Sequence, residues 1–420
     1  MNEKITFSII LPTRNRPEIL PFSIESVLSQ RYQNWELILI DNSDDNRTTK
    51  LITQYKDKRI RYYKTGDLSI HDNWEYGYKC VHGEYTLLLR DKDGLISGAL
   101  DFLSNIIKIY AHPEMISWKH THMHPITGTK AEMGTCFIEK VPSQMLIDDI
   151  LSFEWKCFMW LAPQASILKT ILIARLLDAT PYRLWYGTAT DVVIRYKIPL
   201  CNPDGFYHIH FPLSVELYPF DSIGNSFQKN EKTSLYLRSA GFHFEDTFKF
   251  VPIKHLSSLN LKYNDILMYD ENYGDGTLKN RLDWKNYYRE WAKSYWEIVL
   301  SYGIDSKEEQ ELKKSIMEHF PEFFETYTYP HWYGRFYWKL LKIFPQWNNI
   351  KNSLRDGIQK DLPVHARLSL MKLALFQVFY DNKMLIPLYS KYARRHVPIS
   401  GNTQFMQQLI ERCQSKKSES

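Results

Sequence analysis

The sequence predicts an α/β domain, with a mixed sheet flanked by helices, followed by a mainly α-helical domain. In the first part of the chain short β-branched apolar runs alternate with segments of helical periodicity, and aspartates follow several of the predicted strands. After about residue 230, aromatic residues recur at helical spacing instead. Because 420 residues exceed the usual size of one domain, we expect two domains, residues 1–230 and residues 231–420.

The first strand and helix are the apolar run at 6–11 and the amphipathic segment at 17–32. The run TFSIIL is β-branched and ends at Pro12, which suits a buried parallel strand that leads into a loop. The next segment has its apolar residues on one helical face, and we expect Pro21 to mark the start of the helix or a kink in it.

Further strands and helices follow in the same rhythm. The predicted strands are 35–40, 60–64, 85–90 and a strand pair between Phe206 and Leu217. The predicted helices are 73–81, 97–110, 167–177, 284–295, one with a capping box at Ser306 and Glu309, and 367–380. We expect an open sheet whose carboxyl edge gathers loops and helix N-termini, the place where ligands of such sheets bind.

Charge and composition exclude several classes of protein. The 53 basic and 48 acidic residues give a net charge of +5, too balanced for a protein that binds nucleic acid through phosphate contacts. Five cysteines without metal-type spacing indicate reduced thiols. The N-terminus does not have the pattern of a signal peptide, and no apolar run is long enough to cross a bilayer. We therefore expect a cytoplasmic protein without a transmembrane helix.

An Asp-x-Asp motif, formed by Asp91 and Asp93 around Lys92, follows the predicted strand YTLLLR. Two carboxylates at this spacing can approach one hard cation, whose remaining ligands would be phosphate oxygens and water. The motif therefore predicts a site for Mn²⁺ or Mg²⁺, although a solvated turn also explains such a triplet.

Asp41 ends the predicted strand WELILI, on the same sheet edge as Asp91. Its carboxylate can accept hydrogen bonds from the imide edge of a nucleotide base, and an Asx turn or a helix cap is the alternative interpretation. Arg14 and Arg16, in the loop after the first strand, can contact phosphate or ribose, whereas most exposed arginines are simply solvated. Together these residues predict a nucleotide-diphosphate site.

Four segments resemble, in order, glycosyltransferase family 2, the inverting enzymes with the Rossmann-like nucleotide-binding fold called GT-A. The segments are SIILPTRNRPEIL, WELILIDNSDD, IHDNWEYGYKCVHGEYTLLLRDKDGL and GTATDVVIRYKI, and the resemblance extends from about residue 7 to residue 226. It implies transfer of a sugar from a nucleotide-diphosphate sugar to a glycan or lipid-linked acceptor. The implied context is synthesis of bacterial capsule, lipopolysaccharide or exopolysaccharide.

The resemblance also implies roles for individual residues. The implied contacts to the donor nucleotide are Pro12, Thr13, Arg16, Asp41 and either Asp72 or Asn73. Asp91 and Asp93 would hold the metal and the diphosphate, and Asp191 would be the general base that activates the acceptor hydroxyl. Inversion at the anomeric carbon follows from attack on the face opposite the leaving diphosphate.

This chain departs from the family pattern at two positions. Lys92 stands where many relatives have an acid, so it can pair with phosphate instead. Thr190 precedes Asp191 where relatives often have Glu or Pro, which leaves Glu154 as an alternative base.

Three further features allow a functional and a plain interpretation. His120, His122 and His124 alternate in KHTHMHP and would form either a metal cluster or an ordinary surface. His208 and His210 suit acceptor contact or a simple strand face. The stretch HWYGRFYWKLLKIF suits an amphipathic helix at the inner face of the cell membrane or packing inside the helical domain.

Two other functions compete with sugar transfer. A sugar nucleotidyltransferase would also need a nucleotide fold and aspartates, but PTRNRPEIL lacks the glycine-rich phosphate loop expected of it. A catalytically silent scaffold of the same fold, in a glycan-synthesis complex, is the second alternative.

Overall fold

The computed structural model describes residues 4–123, 137–154, 156–157, 160–179, 185, 187–188, 192, 194–217, 238, 242, 248–254, 257–291, 307–319 and 321–322. The described residues up to 217, with 269–277, belong to one compact unit, and the described residues 238–268, with 278–322, belong to a second. The expected domain boundary at residue 230 falls outside the described residues and stays a prediction.

The described residues of the first unit contain a mixed sheet of nine strands, and a mixed sheet is what the sequence predicts. The strands are β1 (Phe7–Thr13), β2 (Trp35–Asp41), β3 (Ile60–Lys64), β4 (Tyr85–Leu88), β5 (Asp93–Leu95), β6 (Met115–Met123), β7 (Ile138–Val141), β8 (Ser166–Lys169) and β9 (Phe206–Leu217). Their order is β3-β2-β1-β4-β8-β6-β9-β5, and β7 pairs with β9. The strands β3, β2, β1 and β4 are parallel, whereas β8 runs antiparallel to both β4 and β6.

The described part of the chain also contains α-helices. They are α1 (Leu20–Leu28), α2 (Arg47–Ile52), α3 (Ile70–Lys79), α4 (Ala99–Ile109), α5 (Ser143–Ser152), α6 (Thr170–Ala179), α7 (Ile194–Cys201), α8 (Ser258–Tyr273), α9 (Leu278–Arg281) and α10 (Lys307–His319). Residues 284–291 are also helical. In the part of the chain that the structure describes, no helix is both long and apolar enough to cross a membrane.

The sequence predictions are confirmed for the parallel half of the sheet and corrected in the antiparallel half. The predicted strands at 6–11, 35–40 and 60–64 are β1, β2 and β3, and α1 has Pro21 in its first turn. The predicted helix at 167–177 is wrong at its start, because Ile167 is paired with both Leu87 and Ile116 in β8, so the helix begins only at Thr170. A short apolar run does not reveal by its periodicity whether it is a strand or the start of a helix.

The predicted strand pair between Phe206 and Leu217 is also wrong, because these residues form the single strand β9. β9 is long because different partners satisfy its backbone along its length, β7 at its beginning and β5 at its end, with β6 on its other side. The predicted aromatic helix is confirmed at 284–291, and α10 begins at Lys307 as the capping box predicts, with Ser306 outside the described residues.

Alternate residues of the central strands pack on opposite faces of the sheet. Phe7, Ile9 and Leu11 of β1 belong to one buried cluster, which also contains the apolar residues of α1 and α4. The other face carries α3 at very close range, because a Cβ atom on Gly77 would lie 2.6 Å from Ile10 Cγ2. Glycine at this position therefore lets α3 approach the ends of β1 and β2.

The described part of the second unit contains a buried polar cluster. Asn260 of α8 accepts hydrogen bonds at its side-chain oxygen from the Tyr287 hydroxyl (2.6 Å) and from Trp291 Nε1 (2.8 Å). The Asn260 amide nitrogen donates to the carbonyl oxygen of Ile253. Because buried polar groups are costly without partners, this network fixes the helix at 284–291 against α8.

Candidate active site

The ends of the parallel strands bring several sequence-predicted residues together. Thr13, Asp41 and Lys64 are the last residues of β1, β2 and β3, and they are register partners. Asp91 follows β4, and its Oδ2 accepts a hydrogen bond of 3.1 Å from the Thr13 hydroxyl. The carboxyl edge of the sheet therefore gathers side chains from four strands, as expected for a ligand site of an open α/β sheet.

Asp41 is completely buried and is surrounded by donors of different kinds. Its Oδ1 accepts the Ser43 backbone N–H at 2.9 Å, and its Oδ2 accepts the Tyr62 hydroxyl at 2.7 Å and Lys64 Nζ at 3.3 Å. Burial is the main cause that raises the pKa of Tyr62, to about 12, so its hydroxyl stays protonated and donates. We call Asp41, Tyr62, Lys64 and the neighbouring Asn73 the Asp41 end of the edge.

Asn73 and Asp72 begin α3 but have different roles. Asp72 accepts a hydrogen bond of 2.6 Å from the Ser69 hydroxyl, and that hydroxyl caps α3 by accepting the Asp72 N–H. The Asn73 amide is buried, accepts from the Thr65 hydroxyl at 2.5 Å and donates to Asn42 Oδ1 at 3.3 Å. Asn73 therefore connects the ends of β2 and β3, whereas Asp72 stabilises its own helix.

The loop after β1 places two arginines in different surroundings. Arg16 Nη1 lies 3.3 Å from Asp91 Oδ1, and one third of its side-chain surface is exposed (33%). Arg14 Nη2 lies 3.2 Å from Asp44 Oδ1 in an exposed pair. Pro12 is buried inside β1 opposite Ile40. Of these three predicted residues, Arg16 is the one that the structure brings to the Asp-x-Asp motif.

Asp93 is completely buried and is held by Arg90. Arg90 Nε donates to Asp93 Oδ2 at 2.6 Å, and Arg90 Nη2 donates to Asp93 Oδ1 at 2.9 Å, which is a bidentate pair. Glu216 of β9 lies 2.9 Å from Arg90 Nη2 and 2.5 Å from Lys92 Nζ. We call Arg90, Lys92, Asp93 and Glu216 the Asp93 end of the edge.

The packing of α1 and β5 fixes the Asp93 end. β5 pairs with β9 so that Asp93 is opposite Glu216 in the register. A Cβ atom on Gly94 would lie 2.7 Å from Phe22 Cζ of α1, so glycine permits this close contact. Burial, followed by the positive charge of Arg90, lowers the pKa of Lys92.

The two aspartates of the motif do not have the surroundings of a metal site. Both Asp93 oxygens accept from Arg90, and Asp91 accepts from Thr13 and Arg16. Within the described ranges, no group of three or more His, Cys, Asp or Glu side chains is arranged to hold a metal ion. Even a cation whose other ligands are phosphate oxygens and water needs an available carboxylate oxygen, and Arg90 and Arg16 occupy the oxygens here, so the donor set as placed fits Mn²⁺ or Mg²⁺ poorly.

The expected base, Asp191, lies outside the described residues, whereas Trp185, Gly187, Thr188 and Val192 near it are described. The Trp185 N–H donates to Glu75 Oε1 at 2.8 Å, and His71 Nε2 lies 2.7 Å from the carbonyl oxygen of Gly187. The chain before Asp191 is therefore attached to α3, the helix that carries Asn73. Glu154, the alternative base, forms an exposed pair with Lys156 at 2.6 Å.

The predicted histidine features lie on β6 and β9. His120 and His122 belong to β6, and His124 is outside the described residues. His208 is buried, stacks on Trp160 with 4.8 Å between ring centroids, and shares a hydrogen bond of 2.8 Å with Ser117. His210 Nε2 lies 3.0 Å from Glu139 Oε2.

Sequence reasoning missed Lys64 and Tyr62 beside Asp41, and Arg90 and Glu216 beside Asp93. Lys64 could have been found, because it ends the predicted strand next to Asp41 and parallel strands share an edge. Glu216 has a weaker signal, a lone acid in the apolar strand FPLSVEL, which indicates a buried charge with a partner but not which partner.

A family model matches the first part of the chain. The family model described as "Glycosyl transferase family 2" matches residues 8–110, the part of the chain that supplies β1 to β5 and α1 to α4. These residues therefore match the family that the sequence resembles, and the match confirms that resemblance. Asp191 lies beyond the matched region.

Two curated bacterial proteins resemble part of the chain. A Campylobacter jejuni GalNAc(5)-diNAcBac-PP-undecaprenol beta-1,3-glucosyltransferase is 36% identical over 103 residues, which are 23% of this chain and 32% of that protein. The Escherichia coli enzyme WfgD, a UDP-Glc:alpha-D-GlcNAc-diphosphoundecaprenol beta-1,3-glucosyltransferase, is 28% identical over 120 residues, 26% of this chain and 46% of that protein. The chain thus matches less than half the length of either relative.

Solved structures of S. aureus TarS resemble the chain over a longer span. The complex of TarS residues 1–349 with UDP-GlcNAc has a TM-score of 0.43 and 13% identity, and the match covers 77% of this chain and 91% of that one.

Proposed function

We propose that this chain is an inverting glycosyltransferase that moves a sugar from a nucleotide-diphosphate sugar to a glycan or lipid-linked glycan acceptor in bacterial surface-polysaccharide synthesis. The observation that carries the proposal is the convergence of Thr13, Asp41, Asp91 and Arg16 on one sheet edge, within the region that matches glycosyltransferase family 2. Both curated relatives are named as glucosyltransferases whose acceptors carry undecaprenol, which supports a lipid-linked acceptor here.

The Asp41 end suits the base of the donor nucleotide. Asp41 Oδ1 accepts the Ser43 N–H, and its other lone pair is the position for an imide N–H of the base. Asn73 keeps the ends of β2 and β3 together around this position. Thr13 and Arg16 then lie on the side of Asp91, where the diphosphate would follow the ribose.

The proposed reaction is a single displacement at the anomeric carbon. The acceptor oxygen forms a bond to that carbon as the bond to the diphosphate oxygen breaks, and the electron pair leaves with the nucleoside diphosphate. Asp191 receives the acceptor proton as general base, with Glu154 as the alternative. Attack from the face opposite the leaving group inverts the configuration.

Mn²⁺ or Mg²⁺ is the cofactor that the sequence predicts at Asp91 and Asp93. When bound to a diphosphate, such a cation stabilises the leaving group. Because both Asp93 oxygens accept from Arg90 and Asp91 pairs with Arg16, the residues as placed fit this cation poorly, and no step proposed here depends on it.

The experiment is an assay of nucleoside-diphosphate release from a panel of nucleotide sugars, with undecaprenyl-diphosphate-linked glycans as acceptors. We expect turnover by the full chain, and Asp191→Asn should lower the rate about 10²–10⁴-fold, the usual contribution of general-base catalysis. Glu154→Gln serves as the matched control and should leave the rate within about twofold if Asp191 is the base. If Glu154→Gln lowers the rate instead, Glu154 and not Asp191 is the general base. If the full chain shows neither transfer nor hydrolysis with any donor, the proposal is contradicted.

The silent scaffold is the second candidate, because the paired state of Asp91 and Asp93 also suits a fold that has lost its chemistry. Any donor turnover that Asp91→Ala abolishes would eliminate it.

A lipid-linked acceptor would require the chain to contact the membrane surface. Residues 331–344, which lie outside the described residues, are the segment that we propose for this contact. Flotation with anionic vesicles, before and after truncation of this segment, tests that contact.

A further inference from the structure

The Asp-x-Asp motif is embedded in a cluster whose charges cancel. Three carboxylates, Asp91, Asp93 and Glu216, face three cations from the same edge of the sheet. The cations are Arg16, Arg90 and Lys92, and the pairs are Arg16 with Asp91, Arg90 with Asp93 and Glu216, and Lys92 with Glu216. The chain therefore supplies, from its own side chains, positive charges at the place where a divalent cation is expected.

The carboxylate of Asp93 is the least accessible part of this cluster. It is completely buried, and one guanidinium occupies both of its oxygens. A divalent cation could reach Asp93 only after the Arg90 pair opened, which would leave the Arg90 guanidinium beside the incoming cation. Opening a buried pair is strongly unfavourable, and the like charges would add to the cost.

Asp91 and Glu216 hold the other two cations, Arg16 and Lys92, at a position where the oxygens of a diphosphate could pair with them instead. Arg16 belongs to the loop after β1, its side chain is one third exposed, and its Nη1 lies 3.3 Å from Asp91 Oδ1, so a ligand beside Asp91 can reach the Arg16 side chain. Lys92 is directed by Glu216, at 2.5 Å. A guanidinium and an ammonium are the two side-chain groups that best bind phosphate oxygens.

We infer that Arg16 and Lys92 contact the diphosphate of the donor directly, in place of a divalent cation held by Asp91 and Asp93. Asp91 and Glu216 are then positioning residues for these two cations, and the Arg90–Asp93 pair is the fixed base of the cluster. The inference rests on the proposed function, since it concerns the diphosphate of the same donor. If Arg16 and Lys92 contact the diphosphate in this way, the donor binds without a divalent metal ion.

The first test is a calorimetric titration of the full chain with UDP, GDP, ADP and dTDP, once in excess EDTA and once in excess Mn²⁺. We expect at least one nucleotide to bind with a Kd that agrees within about threefold between the two conditions. Binding that appears only with Mn²⁺ would overturn the inference and leave the proposed function intact. If none of the four binds in either condition, the proposed function fails, and the inference fails with it.

The second test separates the contribution of the diphosphate to the affinity from the contribution of the nucleoside. In EDTA, Arg16→Gln and Lys92→Met should each weaken diphosphate binding about tenfold to a hundredfold, while affinity for the matching nucleoside changes less than about twofold. Arg31→Gln is the matched control, because Arg31 forms an exposed pair with Asp101 and should leave both affinities unchanged. Diphosphate affinities equal to those of the unmodified chain would overturn the inference. Arg16→Gln decides the question if Lys92→Met does not fold, because the Arg16 side chain is partly exposed.

Discussion

Asp41 and Asp93 are both completely buried at the same edge of the sheet, yet their partners differ. Asp41 accepts hydrogen bonds from a backbone N–H, a tyrosine hydroxyl and one lysine, each from a different residue. Asp93 is held by one guanidinium through two parallel bonds. The Asp41 carboxylate therefore keeps a lone pair for a ligand, whereas both oxygens of the Asp93 carboxylate are occupied by its ion pair with Arg90. The partners, and not the residue type, decide whether an aspartate at a strand end can bind a ligand.

The largest expected effect is on stability at the Asp93 end. Arg90→Met would leave Asp93 and Glu216 buried without their guanidinium, so we expect the free energy of unfolding to fall by about 3–5 kcal/mol. Arg31→Met removes an exposed pair with Asp101 and should cost at most about 1 kcal/mol. Urea unfolding of both variants measures the difference. Equal losses would show that the Asp93 end is no more closed than an ordinary surface pair.

The second effect concerns the helix that supports the Asp41 end. Gly77→Ala would place a Cβ atom 2.6 Å from Ile10 Cγ2 and 2.9 Å from Ile40 Cδ1, so α3 must shift. Overpacking of this kind costs about 1–3 kcal/mol, whereas Lys79→Ala on the exposed side of α3 should stay within about 0.5 kcal/mol. Thermal unfolding compares the two. A neutral Gly77→Ala would mean that α3 is not held close to β1 and β2.

The third effect tests the Asp41 end directly. Asp41→Asn replaces one carboxylate oxygen by a donor amide, so we expect the affinity for the preferred nucleoside to fall about tenfold. Asp45→Asn, in an exposed pair with Arg47, is the matched control and should leave the affinity unchanged. Calorimetry of the nucleoside with both variants measures it. A similar affinity for both would remove Asp41 from the binding site.

The smallest expected effect is the change in stability over one pH unit that His208 contributes, a buried side chain without an ionic partner among its described contacts. Burial, and then the neighbouring His210, lowers the pKa of His208 from 6.5 to about 3, so the folded chain keeps it neutral. Below about pH 6.5 the unfolded chain binds a proton that the folded chain does not. Stability should therefore fall by about 1.4 kcal/mol for each pH unit between about 6.5 and 3.

His208→Gln should remove this contribution, so its stability should fall less steeply than that of the unmodified chain as the pH is lowered. Urea unfolding at about pH 6.5 and about pH 5.5 provides the comparison. Parallel slopes for the two proteins would show that His208 is protonated in the folded state.

The parallel half of the fold could be predicted because its signals are local. β1, β2 and β3 are apolar runs with clear ends, and parallel strands of one sheet necessarily bring Asp41 and Asp91 to the same edge. β8 and β9 were predicted incorrectly, because their identity depends on partners from distant parts of the chain that a local period does not reveal.

The candidate site divides in the same way. The positions of Thr13, Arg16 and Asp91 at one edge follow from strand order, and the contacts between them agree with the prediction. The pairing of Asp93 does not follow from the Asp-x-Asp spacing, because it depends on Arg90 and on Glu216 of β9. The sequence of a motif gives the spacing of its carboxylates, but it does not predict which cations pair with them.

The most direct test of the account is a crystal structure of the chain with the nucleoside diphosphate that calorimetry selects. We expect the base within hydrogen-bonding distance of Asp41, and the diphosphate on the Arg16 side of Asp91. A nucleotide bound away from the ends of β1, β2 and β4 would contradict the account.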